Sequence, residues 1–210
     1  SDATFWRSES DLKTANNYLY TFLPDFGTED NWSDDAFGLA SNNISDGSRL
    51  APATAVSDFN TQYLLIRAAN NILEKGPKTG IAAAILDRYL AEARFFRAWA
   101  YFNLLQRYGG VPLVTKTLTD DSPELTAGSA TRDEVLTLMM SDLDFASAKL
   151  PTPTALGTAD YGRIANTAAL AFKARVALFE GTRAKFHSYG DFKKYLTMAV
   201  AASKAVMDSK

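Results

Sequence analysis

The run from Ala91 to Tyr108 constrains the fold more than any other, because it is helix-forming, apolar on nearly every side, and stops at Tyr108-Gly109-Gly110. At 100° per residue, Leu90, Ala91, Phe95, Ala98, Tyr101, Phe102 and Leu105 fill one broad arc. Ala93, Ala100 and Leu104 form a second, mostly small-residue strip. Only Glu92, Asn103, Gln106 and Arg107 mark a polar sector, and Phe96 and Trp99 interrupt even that. A surface helix shows one apolar stripe, whereas a helix apolar most of the way round has neighbours on most sides. The pattern therefore predicts an interior helix of a layered helical array, with the small strip letting one neighbour approach closely.

Two local features refine this expectation. Arg94 falls inside the apolar arc and Arg97 at its edge. Buried charge is costly unless paired, so each is expected to bridge to an acid or to carbonyl groups of a neighbouring helix; gripping a ligand is the alternative. Gly109 is expected to end the helix in the left-handed region, where a Cβ would clash. Val111 precedes Pro112 and is pushed to extended geometry, so the chain should turn and run back along the bundle as Val111 to Val114.

The remaining chain reads as further helices. Ser8-Glu9-Ser10-Asp11 has the shape of a capping box and opens a helix to about Leu23, with Leu12, Ala15, Leu19 and Phe22 spaced by three and four. Phe59 to Lys75 repeats that spacing and meets Gly76-Pro77. The central helix runs from about Ile81 to Tyr108, about 42 Å at 1.5 Å per residue. Thr131-Arg132-Asp133-Glu134 is a second capping box, opening a helix that Pro151 closes. Asn166 to Glu180 should stop at Gly181, and Asp191 should cap a last helix whose apolar side holds Phe192, Tyr195, Leu196, Ala199, Val200 and Val206. Six helices and no convincing strand predict an all-α fold of tetratricopeptide-like hairpins in a right-handed array with long loops. A weak echo, Phe96-Arg97-Ala98 against Phe172-Lys173-Ala174, agrees with internal repetition.

Residues 25–55 break the pattern, with Gly27, Gly38, Gly47 and Pro52 among many Asp, Asn and Ser. A loop this long in a compact fold is usually functional or disordered, and Trp32, Phe37, Leu39 and Ile44 argue for packing rather than disorder. Other function classes recede. The net charge of −2 gives no electrostatic case for nucleic acid. No run of 18 apolar residues would span a bilayer as a helix. Without cysteine and with one histidine, His187, there is no thiolate nucleophile and no His/Cys metal cluster, so no cofactor is expected. No phosphate loop, nucleophile elbow or zinc-protease helix occurs.

The central motif, Ala91-Glu92-Ala93-Arg94-Phe95, Arg97-Ala98, Tyr101-Phe102, Leu104, then Tyr108-Gly109 and Val111 to Val114, is similar to the signature of the SusD/RagB family. Phe5-Trp6, the stretch Tyr63 to Asn71, Gly162-Arg163 with Ala168 to Phe179, and Ala199 to Ser209 resemble flanking family motifs. The resemblance implies that residues 1–210 form one SusD-like helical domain, the N-terminal portion of a longer fold. It also implies a non-catalytic, surface-exposed outer-membrane lipoprotein that binds glycans and lids a SusC-like TonB-dependent transporter. Membrane contact is then expected only through a lipid anchor absent from these residues, since no N-terminal lipidated Cys is present.

Sugar sites need aromatic faces against ring C–H groups, and amides, carboxylates and guanidinium groups for hydroxyls; a loop on a rigid scaffold suits them. The long loop has that composition, and Trp32, Asp34, Asp35, Asn42, Asn43 and Arg49 are its candidate ligand-binding residues. The competing reading makes Trp32 a loop anchor and the Asn and Asp residues turn formers. Trp99 is expected in the core, and Trp6 to staple the first helix. Besides a glycan-binding uptake subunit, a helical-repeat module binding protein alone remains open. A glycosidase using paired carboxylates such as Asp34 and Asp35 ranks third.

Overall fold

The structure, a computed structural model, describes residues 5–24, 33, 39–50 and 57–209. Six long helices occur among them: α1 Glu9–Tyr20, α2 Ser57–Lys75, α3 Ala83–Tyr108, α4 Arg132–Lys149, α5 Asn166–Phe186 and α6 Phe192–Asp208. The fold is all-α, as the periodicity requires. Both capping boxes form: the Ser8 hydroxyl accepts from Asp11 N–H and the Thr131 hydroxyl from Glu134 N–H, each acid returning the bond to the cap backbone. Asp191 caps α6 through Lys194 N–H.

Consecutive helices pack on one another, and α1 also meets α3. Their side-chain pairings run antiparallel: Asp58 with Arg107 across α2 and α3, Lys149 with Asp87 across α3 and α4, and Arg132 with Glu180 across α4 and α5. Helices two apart are therefore parallel. An aromatic ladder records this between α3 and α5: Phe95 meets Phe172 at 5.4 Å and Phe102 meets Phe179 at 5.5 Å, with Trp99 between them 5.0 Å from Phe172.

The apolar α3 is sheltered as its composition demands. Of its residues, Ala91, Ala93, Phe96, Ala98, Ala100, Tyr101 and Leu104 are fully buried. Trp99 is half-buried against the core, and so is Trp6, which meets Phe5 edge-on at 5.1 Å. The wheel misplaces one residue. Glu92, expected on the polar sector, is completely buried. Arg163, 71 residues away, closes on it with Nε at 3.0 Å and Nη2 at 2.6 Å, and reaches Asn17 Oδ1 with Nη1 at 2.6 Å. A partner so distant in sequence leaves no trace in helical periodicity.

Arg97 bridges as expected. It donates to both carboxylate oxygens of Asp142, at 2.7 and 2.8 Å, and to Asn70 Oδ1 at 2.8 Å. Arg94 lies 3.8 Å from Asp142 and stacks on Phe145 at 4.2 Å. The Asn70 amide in turn donates to the Val114 and Lys116 carbonyls, both at 3.1 Å. The Tyr101 hydroxyl accepts from Val114 N–H at 2.7 Å and donates to its carbonyl at 2.9 Å. Burial pushes the Tyr101 phenol up to about 12, so it stays protonated for both roles. Tyr63 donates to the Pro112 carbonyl at 2.7 Å, and Glu74 accepts from Thr117 N–H at 2.6 Å. The extended piece after α3 does run back along the bundle, with side chains of α2 and α3 satisfying its backbone polar groups. Arg97, Tyr101, Pro112 and Val114 of the central motif thus take part in this internal clasp.

The two glycines after Tyr108 do different jobs. Gly109 has φ +76° and donates to the Leu105 carbonyl at 3.1 Å; a Cβ there would be strained. Gly110 is small because a Cβ would lie 2.3 Å from the Ala130 carbonyl oxygen.

Gly181 corrects an expectation. It does not end α5, which continues to Phe186. A Cβ there would sit 2.7 Å from Leu196 Cδ2 and 3.1 Å from the Leu196 backbone nitrogen. The glycine admits α6 rather than stopping α5. On α6 the buried side holds Tyr195, Ala199 and Ala202, while Val200, expected on that side, is exposed.

Candidate functional site

Two regions are candidates: the described part of the long loop, and the groove between the helices that the loop joins. Of the six sequence-predicted residues, Trp32, Asp34 and Asp35 lie outside the described residues, as does Phe37. Asn42, Asn43 and Arg49 fall within the segment 39–50 and are brought together there. Asn42 Oδ1 accepts from Ile44 N–H at 2.9 Å and its carbonyl from Asp46 N–H at 3.0 Å. Arg49 N–H donates to the Asn43 carbonyl at 2.9 Å. Asp46 accepts from Ser48 N–H at 2.9 Å and from the Ser41 hydroxyl, and these bonds hold its carboxyl below the usual range. Asn42 and Asp46 are thus turn formers, as the competing reading has it. The Asn43 and Arg49 side chains are exposed on the turn so formed.

Packing in this segment is looser than its apolar residues suggest. Ile44 is half-buried, but Leu39 is fully exposed and Leu50 is 86% exposed. The expectation that Leu39 finds a partner is overturned. The segment's own turns and hydrogen bonds, rather than an apolar anchor, set its shape.

The α1–α2 groove was missed at the sequence level. It encloses about 1000 Å³ and is lined by Trp6, Tyr18, Leu64, Ala68 and Ile72, with polar groups from Asp11, Thr14, Arg67, Asn71, Lys75 and Thr117. Tyr18 and Leu64 are more than half exposed. Helical spacing hides it: Tyr18 follows Ala15 by three and precedes Phe22 by four, so periodicity assigns it to the apolar stripe although it is more than half exposed. Aromatic faces beside amide, hydroxyl and guanidinium groups can engage a sugar ring and its hydroxyls. Asp11 is already committed to the capping box, and the Ser8 hydroxyl holds its carboxyl below the ordinary range.

No group of three or more His, Asp or Glu side chains among the described residues could hold a metal ion. Asp160 accepts from Lys13 Nζ and Arg88 Nη2, both at 2.7 Å, and these bonds bring its carboxyl to about 2. This pair of contacts ties the α4–α5 connection back to α1 and α3. No helix of the described residues is long and apolar enough to cross a membrane.

Comparison with known proteins gives these features a setting. Residues 8–178 match a SusD-like family described as starch-binding and associating with the outer membrane. A SusD-like protein of Formosa agariphila is 29% identical over 203 residues, covering 85% of this chain and 36% of its own. A SusD-like protein from Bacteroides fragilis superposes with a TM-score of 0.79 at 23% identity, over all of this chain and 40% of that one. A laminarin-binding SusD-like protein superposes with a TM-score of 0.74 at 22% identity, over 95% of this chain and 43% of that one. The chain thus spans well under half the length of these relatives.

Proposed function

The chain belongs to the SusD-like family, and from that premise we propose that it is part of a non-catalytic glycan-binding subunit serving nutrient uptake at the outer membrane. The observation that carries the reading is the match over residues 8–178 to a family described as starch-binding. The loop residues Trp32, Asp34, Asp35, Asn42, Asn43 and Arg49 are assigned to the ligand. Asn43 and Arg49 support this by standing exposed on a self-braced turn. The partner is a TonB-dependent transporter of the SusC type, and the attachment is a lipid anchor at the cell surface; the family's described association with the outer membrane supports both.

Titration of the full-length protein with soluble oligosaccharides tests the reading. Laminari-oligosaccharides come first, because laminarin is the ligand of one matched structure. Saturable binding without turnover is expected, weakened about tenfold or more by Trp32→Ala, since a stacked aromatic contributes on the order of a few kcal/mol. Absence of binding to any glycan, or hydrolysis lost on Asp34→Asn or Asp35→Asn, would count against it. One observation favours the protein-only alternative: α5 and α6 expose Leu178, Val200 and Met207 along one apolar groove. Co-purification with a transporter by a protein that binds no glycan would favour it.

A further inference from the structure

The turn joining α5 to α6 carries a feature that the reading above does not use. A concavity of about 650 Å³ is lined by Phe179, Thr182, Arg183, Phe186, His187 and Tyr189. These residues lie beyond residue 178, where the match to the family model ends.

The pocket is built rather than incidental. Phe179 forms its floor and is locked edge-on against Phe102 at 5.5 Å. The turn is held by His187 N–H to the Arg183 carbonyl at 3.0 Å and Tyr189 N–H to the Ala184 carbonyl at 2.9 Å. Ser188 sits at φ +54°, the one non-glycine residue at positive φ among the described residues. With the Tyr189 bond it forms the left-handed cap that closes α5. Two aromatic rings flank this cap and face outward: Phe186 is 78% exposed and Tyr189 42%.

Charge gives the pocket a preference. Arg183 is the fixed charge in its lining, and along the same turn Lys185, Lys193 and Lys194 outnumber the single acid, Asp191, in a chain whose net charge is −2. The carboxylate beside Arg183 is Glu180, whose hydrogen bonds go to Arg132. Its Oε2 receives Arg132 Nε at 2.8 Å and Nη2 at 2.7 Å, while Arg183 stands 4.0 Å from its Oε1. Arg183 stacks on the Tyr189 ring at 4.7 Å. Stacking orients the guanidinium plane and leaves its N–H donors at the edge, the geometry that binds a carboxylate or sulfate.

We propose that this turn pocket is a second carbohydrate subsite, selective for an anionic pyranose bearing a uronate or a sulfate. Phe186 and Tyr189 receive the C–H face of the ring, and Arg183 binds the acidic group. The proposal rests on the glycan reading for its class of ligand but not for its residues, so either can fail alone.

The test uses the full-length protein and three tetrasaccharides: tetragalacturonate, a sulfated galactan tetrasaccharide and neutral laminaritetraose. The expected result is that Arg183→Gln and Tyr189→Ala each weaken an acidic ligand about tenfold or more and leave laminaritetraose unchanged. Trp32→Ala should do the reverse. Arg175→Gln, which removes the same charge elsewhere on α5, should leave every affinity unchanged. Acidic binding that is indifferent to Arg183→Gln, or weakened equally by Arg175→Gln, would overturn the subsite. So would binding to anionic vesicles, lost on Phe186→Ala, by a protein that ignores acidic sugars. Acidic binding lost on Arg183→Gln, beside neutral binding that is indifferent to Trp32→Ala, would support the subsite and sink the loop assignment instead.

Discussion

Replacing Asp142 by Ala tests the buried core of the array directly. Asp142 is 1% exposed and Arg97 6% exposed, with two hydrogen bonds of 2.7 and 2.8 Å between them. Removing the carboxylate leaves Arg97 with Asn70 Oδ1 as its remaining acceptor and brings its charge face to face with Arg94, no anion between them. Breaking a buried pair from one side costs about 3–5 kcal/mol. At about 2–4 °C per kcal/mol for a chain of this size, the midpoint of thermal unfolding should fall by about 6–20 °C. Circular dichroism at the helical band reads it. The double change Arg97→Met with Asp142→Leu removes both charges, and an apolar pair of similar volume is often neutral or better. It leaves Asn70 Oδ1 without a donor, at about 1–3 kcal/mol, so the double variant should unfold near the wild type and well above Asp142→Ala. A single variant losing less than about 1 kcal/mol, or a double variant less stable than the single one, would refute the account of α3 as a helix whose buried charge is held by pairing.

Other outcomes follow from the same geometry. Gly110→Ala drives a Cβ to 2.3 Å from the Ala130 carbonyl oxygen and should break the Ala130 N–H bond to Val111; faster amide exchange at Ala130 is the readout. Gly181→Ala should destabilise, with a lower urea midpoint, although alanine is the better helix former by about 1 kcal/mol: contact with Leu196 outweighs propensity. Asp160→Asn should lower stability at neutral pH. Because the folded carboxyl is depressed to about 2 from its ordinary 3.8, its contribution is complete above the ordinary value and is lost as pH falls toward 2. The wild type and variant curves should therefore converge between about pH 4 and pH 2, and a gap persisting at pH 2 would contradict the assignment.

The helices were legible because their signals are local. Ser8 with Asp11 and Thr131 with Glu134 each encode a cap within four residues, and the apolar girth of α3 announces its shelter. What was not legible depends on residues far apart in the chain. Glu92 reads as solvated until Arg163 arrives, and Gly181 reads as a terminator until Leu196 lies against it. The family signature was readable as a pattern but not as a clasp, since nothing in the order of Tyr63, Asn70 and Tyr101 reveals that they converge on the backbone of residues 112–116, with Arg97 bracing Asn70. Candidate site residues fared less evenly. Composition pointed to the loop of Asn43 and Arg49 and gave no sign of the α1–α2 groove, whose walls come from two helices and whose aromatic Tyr18 is conspicuous only once its neighbours are known.

The paired rings of α3 and α5 act as a ruler. Phe95 and Phe102 are seven residues apart, and so are Phe172 and Phe179, so each helix presents its two rings at the same interval. One residue inserted between Phe172 and Phe179 would swing the second ring by about 100° and advance it about 1.5 Å, unseating it from Phe102. The intervals Phe95–Phe102 and Phe172–Phe179 are therefore coupled across the bundle, and a change of length inside one of them calls for a matching change in the other.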